Sequence, residues 1–480
     1  MNFAERLKAA GMLKETENGG KSCKTTGDSL IDLFGTIGAM RDRADEEIID
    51  KWLDARYDNM ELADNLILYT RDITHGGLGE RRIGRLLLKK LAQLDPAKVS
   101  RNLNKIVAAG RWDDLFVLFD TRVEKYVIDF IRNQLIEDVN RMENNKSISL
   151  LAKWLKSPNT SSKESRKMAR KIYKSLNLTE KTYRKTLSAL RKYLKVTEKQ
   201  MSSGDWNEIE FEKVPSYAMK NYSEAFKRHT PHKFMSYLDD VKENKSKINA
   251  STLYPYDIVK NALDYGVSET DELQWKALPK IPSNDNVLFV VDTSGSMTWN
   301  DNKPLATAIG LAIYYAEQNM GEYHNLFMGF DSSSNIYKLR DNWTLAQKID
   351  YIQDIPWGGS TNLDEAFRKI YDIAIDTGDV PAAICIVSDM EINDWESEDN
   401  VYSITDKWAK KFTEFDLKLP KLIYWNVEAR NDTFLASKDD NVAFVSGYGL
   451  GPFRNFQELL HCTAYEAMTK ILSKKQFTWS

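Results

Sequence analysis

The amino-acid sequence predicts a multidomain protein in which an all-α helical-repeat domain is followed by a doubly wound α/β domain. Three observations carry that prediction. From about residue 28 to 280 apolar residues recur with helical spacing and nowhere alternate with period two. From residue 287 onward short, continuous apolar runs alternate with helix-length segments, the pattern of a parallel sheet covered on both faces. The charge also changes sign between the two parts. Residues 1–280 hold 50 Lys and Arg against 41 Asp and Glu (+9), and residues 281–480 hold 17 against 29 (−12), within a total of −3.

The elements follow in chain order. Residues 1–27 form an N-terminal arm, and residues 28–280 form the helical domain. Within it, helices are predicted from Met60 to Arg71, Glu80 to Leu94, Pro96 to Ala109 and Thr121 to Glu137. Gly-Gly-Leu-Gly at 76–79 and Gly-Arg-Trp-Asp at 110–113 interrupt them, and tightly joined helix pairs of this length resemble HEAT-like repeats. Residues 141–200 continue the helical pattern and carry 17 Lys and Arg against 4 Asp and Glu, with the cations set between apolar anchors such as Ile172, Tyr173, Leu187 and Leu190. A polar, proline-bearing stretch at 276–286 places the domain boundary near 281. Strands are then predicted at 287–291, 326–330, 383–387, 422–427 and 442–446, with helices from Pro304 to Gln318, Asp364 to Ile375 and Phe456 to Leu472 between or after them.

Composition excludes several classes. With 480 residues, 42% of them hydrophobic and 29% charged, the chain buries a large core and is no disordered tail. No window approaches the roughly 18 uncharged apolar residues of a membrane span, and the first twenty residues lack the apolar core of a secretory signal. Cys23, Cys385 and Cys462 lie far apart and make neither a disulfide framework nor a zinc cluster. A cytoplasmic, reducing location is the expectation.

In a doubly wound sheet, ligands bind beyond the carboxyl ends of the strands. Three segments fall there: Asp292-Thr-Ser294-Gly-Ser296, Gly358-Gly359-Ser360-Thr361 and Ser388-Asp389. Two carboxylates with three or four hydroxyls suit a hard divalent cation, Mg²⁺ or alternatively Mn²⁺ or Ca²⁺. Neutral hydroxyl ligands leave the ion enough charge to accept a carboxylate or phosphate from a partner. On these motifs residues 286–475 resemble a von Willebrand factor A domain, a Rossmann-like fold, with a complete metal-ion-dependent adhesion site. The resemblance implies that Asp292, Ser294 and Ser296 hold the ion, that Thr361 joins directly or through water, and that Asp389 acts through water. It also implies ligand binding without catalysis. A serine nucleophile at 294 or 296 would need a histidine, and His324 and His461 are the candidates, neither in a loop predicted beside the site.

A second resemblance covers residues 25–275. The order Ala-Asp-Asn-Leu-Ile-Leu-Tyr-Thr-Arg-Asp (63–72), Gly-Gly-Leu-Gly-Glu-Arg-Arg (76–82), Gly-Arg-Trp-Asp-Asp-Leu (110–115) and Ala-Met-Lys-Asn-Tyr-Ser-Glu-Ala-Phe-Lys-Arg-His (218–229) is similar to the helical TROVE module of Ro ribonucleoproteins. It is closer still to relatives, some in bacteriophages, that pair this module with an adhesion-type domain. The resemblance implies a basic helical ring that holds structured or single-stranded RNA. Independently, the lysines and arginines of 153–192 can neutralise phosphates without reading bases. The candidate RNA-binding residues are Arg81, Arg82, Arg111, Lys153, Lys156, Lys167, Arg170, Lys171, Arg184, Lys185, Arg228 and His229. Each has a plainer reading. The basic stretch can be a solvated face, and Arg81, Arg82 and Arg111 can cap carbonyls or pair with Asp72, Asp113 or Asp114. Trp112, Trp154, Tyr173, Tyr183, Tyr193 and His229 are available to stack on bases, though aromatic residues at helical spacing are more often core.

Other signals carry less. Asn18-Gly19-Gly20-Lys21-Ser22 resembles the end of a phosphate-binding loop, but position 15 is Glu15 where that loop needs glycine, so no nucleotide cofactor is expected. The acidic run 391–400 reads as a solvated loop that could screen the metal site from anions. The expected function is a non-catalytic, Ro-like RNA-binding protein whose metal site serves an acidic protein ligand or domain closure, with no membrane partner. The alternative is a metal-dependent protein-interaction or structural protein, such as a bacteriophage-encoded one, without RNA.

Overall fold

The computed structural model describes residues 13–280, 285–355, 358–395, 403–449 and 451–480. The chain divides into two compact units, one from Met1–Ile83 and Thr252–Thr478, the other from Gly84–Ser251 with Trp479–Ser480.

The first unit is α/β. An antiparallel hairpin of β1 (Leu13–Glu15) and β2 (Lys21–Cys23) precedes a six-stranded sheet of β3 (Val287–Asp292), β4 (Leu326–Phe330), β5 (Ser334–Lys338), β6 (Ala383–Ser388), β7 (Lys421–Asn426) and β8 (Val442–Ser446). The strand order is β5-β4-β3-β6-β7-β8, and every pairing is parallel except β4 with β5. Every residue of β3, β6, β7 and β8 is buried, so both faces are covered, as their unbroken apolar sequences require. The order reverses between β3 and β6, which creates a crevice at their carboxyl ends.

The five apolar runs all become strands. The sequence pattern misses β5, because Ser-Asn-Ile-Tyr-Lys lies at the sheet edge, pairs among the described residues only with β4 and is largely exposed. The helices Leu363–Thr377 and Trp299–Ala316 match their expected spans within a few residues at one end or both, whereas the last expected helix is two, Phe456–His461 and Ala464–Leu472.

Several helices expected in the helical domain belong to this unit instead. The helix Ser29–Thr36 lies on β8, and Phe34 stacks on Tyr69 of the helix Met60–Arg71 at 5.3 Å. That second helix meets Ala464–Leu472, where Asn65 Nδ2 donates to Leu472 O at 3.2 Å. The helix Pro255–Tyr265 packs on Trp299–Ala316 across Gly310, where a Cβ would stand 3.0–3.1 Å from atoms of Pro255 and Tyr256. A compact-unit boundary therefore does not fall at 280/281. The sheet needs apolar cover: the helix Ser29–Thr36 supplies it at β8, and Pro255–Tyr265 backs the helix Trp299–Ala316, which lies on β3.

The second unit is helical. Leu103, Ile106, Leu115, Val127, Ile131, Leu151 and Leu155 are buried within it, and so are Ile172, Tyr183, Leu187 and Leu190 of the helices Lys163–Ser175 and Glu180–Tyr193. A cluster of Phe211, Phe226, Phe234 and Tyr237 anchors Ser216–His229 and Pro231–Lys242. The expected helix Pro96–Ala109 is two, Pro96–Arg101 and Leu103–Ala109. They join at buried Asn102, whose amide donates to Lys98 O and exchanges hydrogen bonds with Ser480.

This partition sharpens the charge asymmetry. Residues 84–251 hold 35 Lys and Arg against 20 Asp and Glu, a net of +15, which leaves 32 against 50, a net of −18, for the first unit. Among the described residues no helix is long and apolar enough to cross a membrane.

Candidate functional site

The crevice between β3 and β6 gathers the acidic and hydroxyl residues. β3 ends at Asp292 and β6 at Ser388, so Asp292 and Asp389 enter from adjacent strands. Both carboxylates are almost wholly buried. Asp292 accepts from Ser294 N at 2.9 Å and from the Ser388 hydroxyl at 2.6 Å. The Ser294 and Ser296 hydroxyls lie 3.0 Å apart, and Ser296 also bonds Asp389. Loop 358–361 is tied on through Gly358 N to Thr293 O (3.0 Å) and Gly295 N to Gly359 O (3.3 Å). Thr361 exchanges backbone and side-chain bonds with Asn393, just beyond Asp389. All five residues singled out in the sequence thus lie on these three connected loops.

The electrostatics follow from burial. Desolvation, with the adjacent Asp389 charge adding to it, pushes the Asp292 carboxyl up to about 7. Desolvation also raises Asp389, against the Arg430 guanidinium, which donates to its Oδ2 at 2.9 Å. Two buried carboxylates beside two hydroxyls form an oxygen donor set fitted to a hard cation, and Asp292, Ser294, Ser296, Thr361 and Asp389 are the residues that could hold one. Among the described residues no three His, Cys, Asp or Glu side chains converge as a metal cluster, so hydroxyls would complete any coordination. His324 pairs with Asp341 and His461 with Asp285, at the amino ends of β4 and β3, away from this crevice.

Sequence reasoning missed the rim. The turn of the β1–β2 hairpin lies against it: Glu17 N donates to Glu391 Oε2 at 2.7 Å, and Asn18 Nδ2 reaches Glu391 O at 2.5 Å and Thr361 Oγ1 at 3.4 Å. Arg430 and Asn431 hold the Glu17 carboxylate at 3.0 and 2.8 Å. The phosphate-loop-like segment at 18–22 is therefore a hairpin turn leading into a strand, with no helix to receive a phosphate. Glu391 is buried and accepts from Thr433 at 2.9 Å, so the acidic run does not begin as a solvated loop; its residues 396–400 lie outside the described residues. Arg430 follows β7 at the same sheet end, a position the topology rule could have flagged. Glu17 and Asn18 come from more than 340 residues away with no local signal.

The candidate RNA-binding residues separate into groups. Arg82 is committed to structure in the first unit, pairing with Asp45 and donating to Arg43 O at 2.6 Å. Arg81 is exposed on the same helix. Asp113 and Asp114, weighed as partners of these arginines, are gripped by Arg85 at 2.9 and 2.6 Å. Arg111 lies over Trp154 at 4.6 Å, Lys153 sits 5.9 Å from the same ring and 4.0 Å from Glu198, and Lys156 covers Phe116 at 5.9 Å. Lys171 is paired with Asp120 (2.6 Å) and Glu124 (3.2 Å). Lys167, Arg170, Arg184 and Lys185 are exposed on the helices Lys163–Ser175 and Glu180–Tyr193. Arg228 is exposed and donates to Glu224 O at 3.3 Å.

Of the aromatic candidates, Trp112, Tyr173 and Tyr183 are core. Tyr193 is half-buried, its hydroxyl on Lys146 O. Exposed His229 stacks on Trp206, a residue not singled out in the sequence, with centroids 3.9 Å apart and planes 6° apart.

Residues 121–285 match the family described as "Domain of unknown function (DUF2828)", and residues 286–476 match "Domain of unknown function (DUF7788)". The chain is 29% identical to "Uncharacterized protein L728" of Acanthamoeba polyphaga mimivirus, an alignment covering 94% of this chain and 84% of that protein. Among solved structures it is similar to the crystal structure of the Deinococcus radiodurans RO (RSR) protein, with 16% identity, a TM-score of 0.48, and coverage of 90% of this chain and 99% of the other.

Proposed function

We propose that the protein is a non-catalytic, Ro-like RNA-binding protein that holds RNA on the basic helical unit 84–251, while the α/β unit offers a divalent-cation site to a carboxylate-bearing protein ligand. The observation that carries the reading is the net charge of +15 confined to one compact unit, with its densest run on the helices Lys163–Ser175 and Glu180–Tyr193. Exposed cations of this kind bind phosphates electrostatically, with an affinity that falls steeply as salt rises. The Trp206–His229 pair adds a flat surface on which a base can stack. In the α/β unit, Asp292, Ser294, Ser296, Thr361 and Asp389 would hold a Mg²⁺ ion. A bound cation would supply a coordination position for a carboxylate oxygen, and the Glu17 carboxylate held by Arg430, beside Asp389, is the observation that supports an acidic ligand at this rim.

The test reverses charge at Lys163, Arg170, Lys174, Lys181, Arg184 and Lys185 together and measures single-stranded RNA binding by fluorescence anisotropy. Loss of at least about tenfold in affinity, with the circular-dichroism spectrum and melting curve unchanged, is expected, because each neutralised phosphate contributes to the salt-dependent term. Unchanged affinity refutes the RNA reading and leaves the adhesion-type protein interaction as the function to pursue.

A further inference from the structure

We infer that the cavity between the helix Glu180–Tyr193 and the loop 157–159 is a phosphate-binding cleft. The inference rests on the RNA reading above for the identity of its ligand, but not for its chemistry. The cavity encloses about 550 Å³, and its charged lining is wholly cationic: Lys181, Arg184, Lys185 and Arg191 from the helix and Lys199 from Thr197–Ser203. Among the described residues no Asp or Glu lines it. Positions 181, 184, 185, 188 and 191 are three or four residues apart or closer, so one helical face delivers four of the five charges to a single opening. The opposite face is pinned by Tyr183 and Leu190, both buried, and Tyr183 donates from its hydroxyl to Lys156 O at 2.9 Å, while Leu187 supplies an apolar floor to the cavity.

Arg191 shows why an anion belongs there. Its guanidinium donates to Ala152 O at 2.8 Å, Ser157 Oγ at 2.7 Å and Leu155 O at 2.6 Å, all uncharged acceptors. Burial holds its pKa below the ordinary arginine value, the mark of a partly desolvated cation without a counter-charge. No carboxylate stands within ion-pair distance of Lys181, Arg184 or Lys185 among the described residues. Mutual repulsion of five cations is relieved by one multivalent oxyanion, and arginine forks match the paired oxygens of a phosphate. Asn159, with its amide oxygen turned to accept from Arg184 Nη2 at 2.8 Å, aims that guanidinium, while Ser157 and Ser188 add hydroxyls. The volume lies in the range of small-ligand sites, enough for a nucleotide around the phosphate.

The experiment uses the full chain and two triple variants that remove equal charge, Lys181→Gln/Arg184→Gln/Lys185→Gln in the cleft and Lys163→Gln/Arg170→Gln/Lys174→Gln on the neighbouring helix. Binding of a labelled oligoribonucleotide with a 5′-phosphate or a 5′-hydroxyl is followed by anisotropy across salt concentration. The cleft triple is expected to lose about tenfold more affinity than the control triple and to lower the log–log salt slope by about 2. If the loss is confined to the 5′-phosphorylated strand, the cleft takes a chain end; if both strands lose equally, it takes a backbone phosphodiester. Equal losses in the two triples overturn the cleft and leave the RNA reading standing. Inorganic tripolyphosphate is titrated in parallel by calorimetry. If it binds the wild type and the control triple but not the cleft triple, while RNA binds none of them, the cleft stands and the RNA reading falls. Independent of any variant, tripolyphosphate should protect Lys181 and Lys185, relative to Lys163, from amine acylation read by mass spectrometry; no protection overturns the proposal.

Discussion

Asp292 and Asp389 are two buried acids, and the Arg430 guanidinium donates to Asp389. Asp292→Asn keeps the side-chain shape and an oxygen for the Ser388 hydroxyl while removing one charge. In the wild type, millimolar MgCl₂ is expected to raise the melting temperature relative to EDTA, because a ligand at about 100 times its Kd stabilises by about 2.7 kcal/mol. The variant is expected to show no such rise by differential scanning fluorimetry, and an undiminished rise would place the ion elsewhere. Lys421 gives a pH signature. Burial among the Val442 and Cys462 carbonyls pushes its ammonium down from 10.5 to about 8. The folded state therefore releases this proton before the unfolded state does. Stability from this group is gained as pH rises from about 8 to 10.5 and is absent below 8, with a slope of at most about 1.4 kcal/mol per pH unit. Urea melts of wild type and Lys421→Met across that window should diverge in this direction, and parallel curves would contradict it.

Among the elements, Pro255–Tyr265 and Trp299–Ala316 show how close packing is built from a residue with no side chain. Gly310 lets the two helices approach so that a Cβ would meet Pro255 and Tyr256 at 3.0–3.1 Å. Gly310→Val is expected to cost about 1–3 kcal/mol by overpacking, read as a lower urea midpoint for the α/β unit. The buried strands were legible because a strand covered on both faces is apolar along its run, as in Ala-Ile-Cys-Ile-Val of β6. β5 was not, because an edge strand with one partner carries no such demand. The break at Asn102 was also invisible, since it is satisfied by Ser480, at the far end of the chain. The site divides in the same way: the carboxylates and hydroxyls announce themselves in short motifs, whereas the Glu17–Arg430 and Asn18–Thr361 contacts exist only because the fold returns the N-terminal hairpin to the strand ends.

For the whole molecule, net charges of +15 and −18 on the two compact units give them a shared response to simple salt and different responses to a polyanion. Self-repulsion destabilises a unit with so large an excess of one sign, and salt screens it within about 10 Å at 0.1 M. Calorimetry is expected to resolve two transitions. Raising NaCl from low to moderate concentration should raise both, and a polyanion such as heparin should raise only the helical one, which hydrogen exchange assigns to residues 84–251. A single transition insensitive to heparin would contradict the partition.

By itself the sequence determined the helical front, the parallel-sheet back, the sign and place of the charge, and the oxygen donors after the strands. Each of these is a property of local periodicity or composition, and burial on a sheet or helix face imposes it wherever the chain goes. Tertiary structure alone decided which helices cover the sheet, which arginines are committed to carbonyls and carboxylates, and which basic residues converge on one cavity. Those outcomes depend on contacts between segments from 29 residues apart, as Arg85 with Asp114, to 407 apart, as Asn65 with Leu472, where apolar area and unsatisfied polar groups are matched in space rather than along the chain.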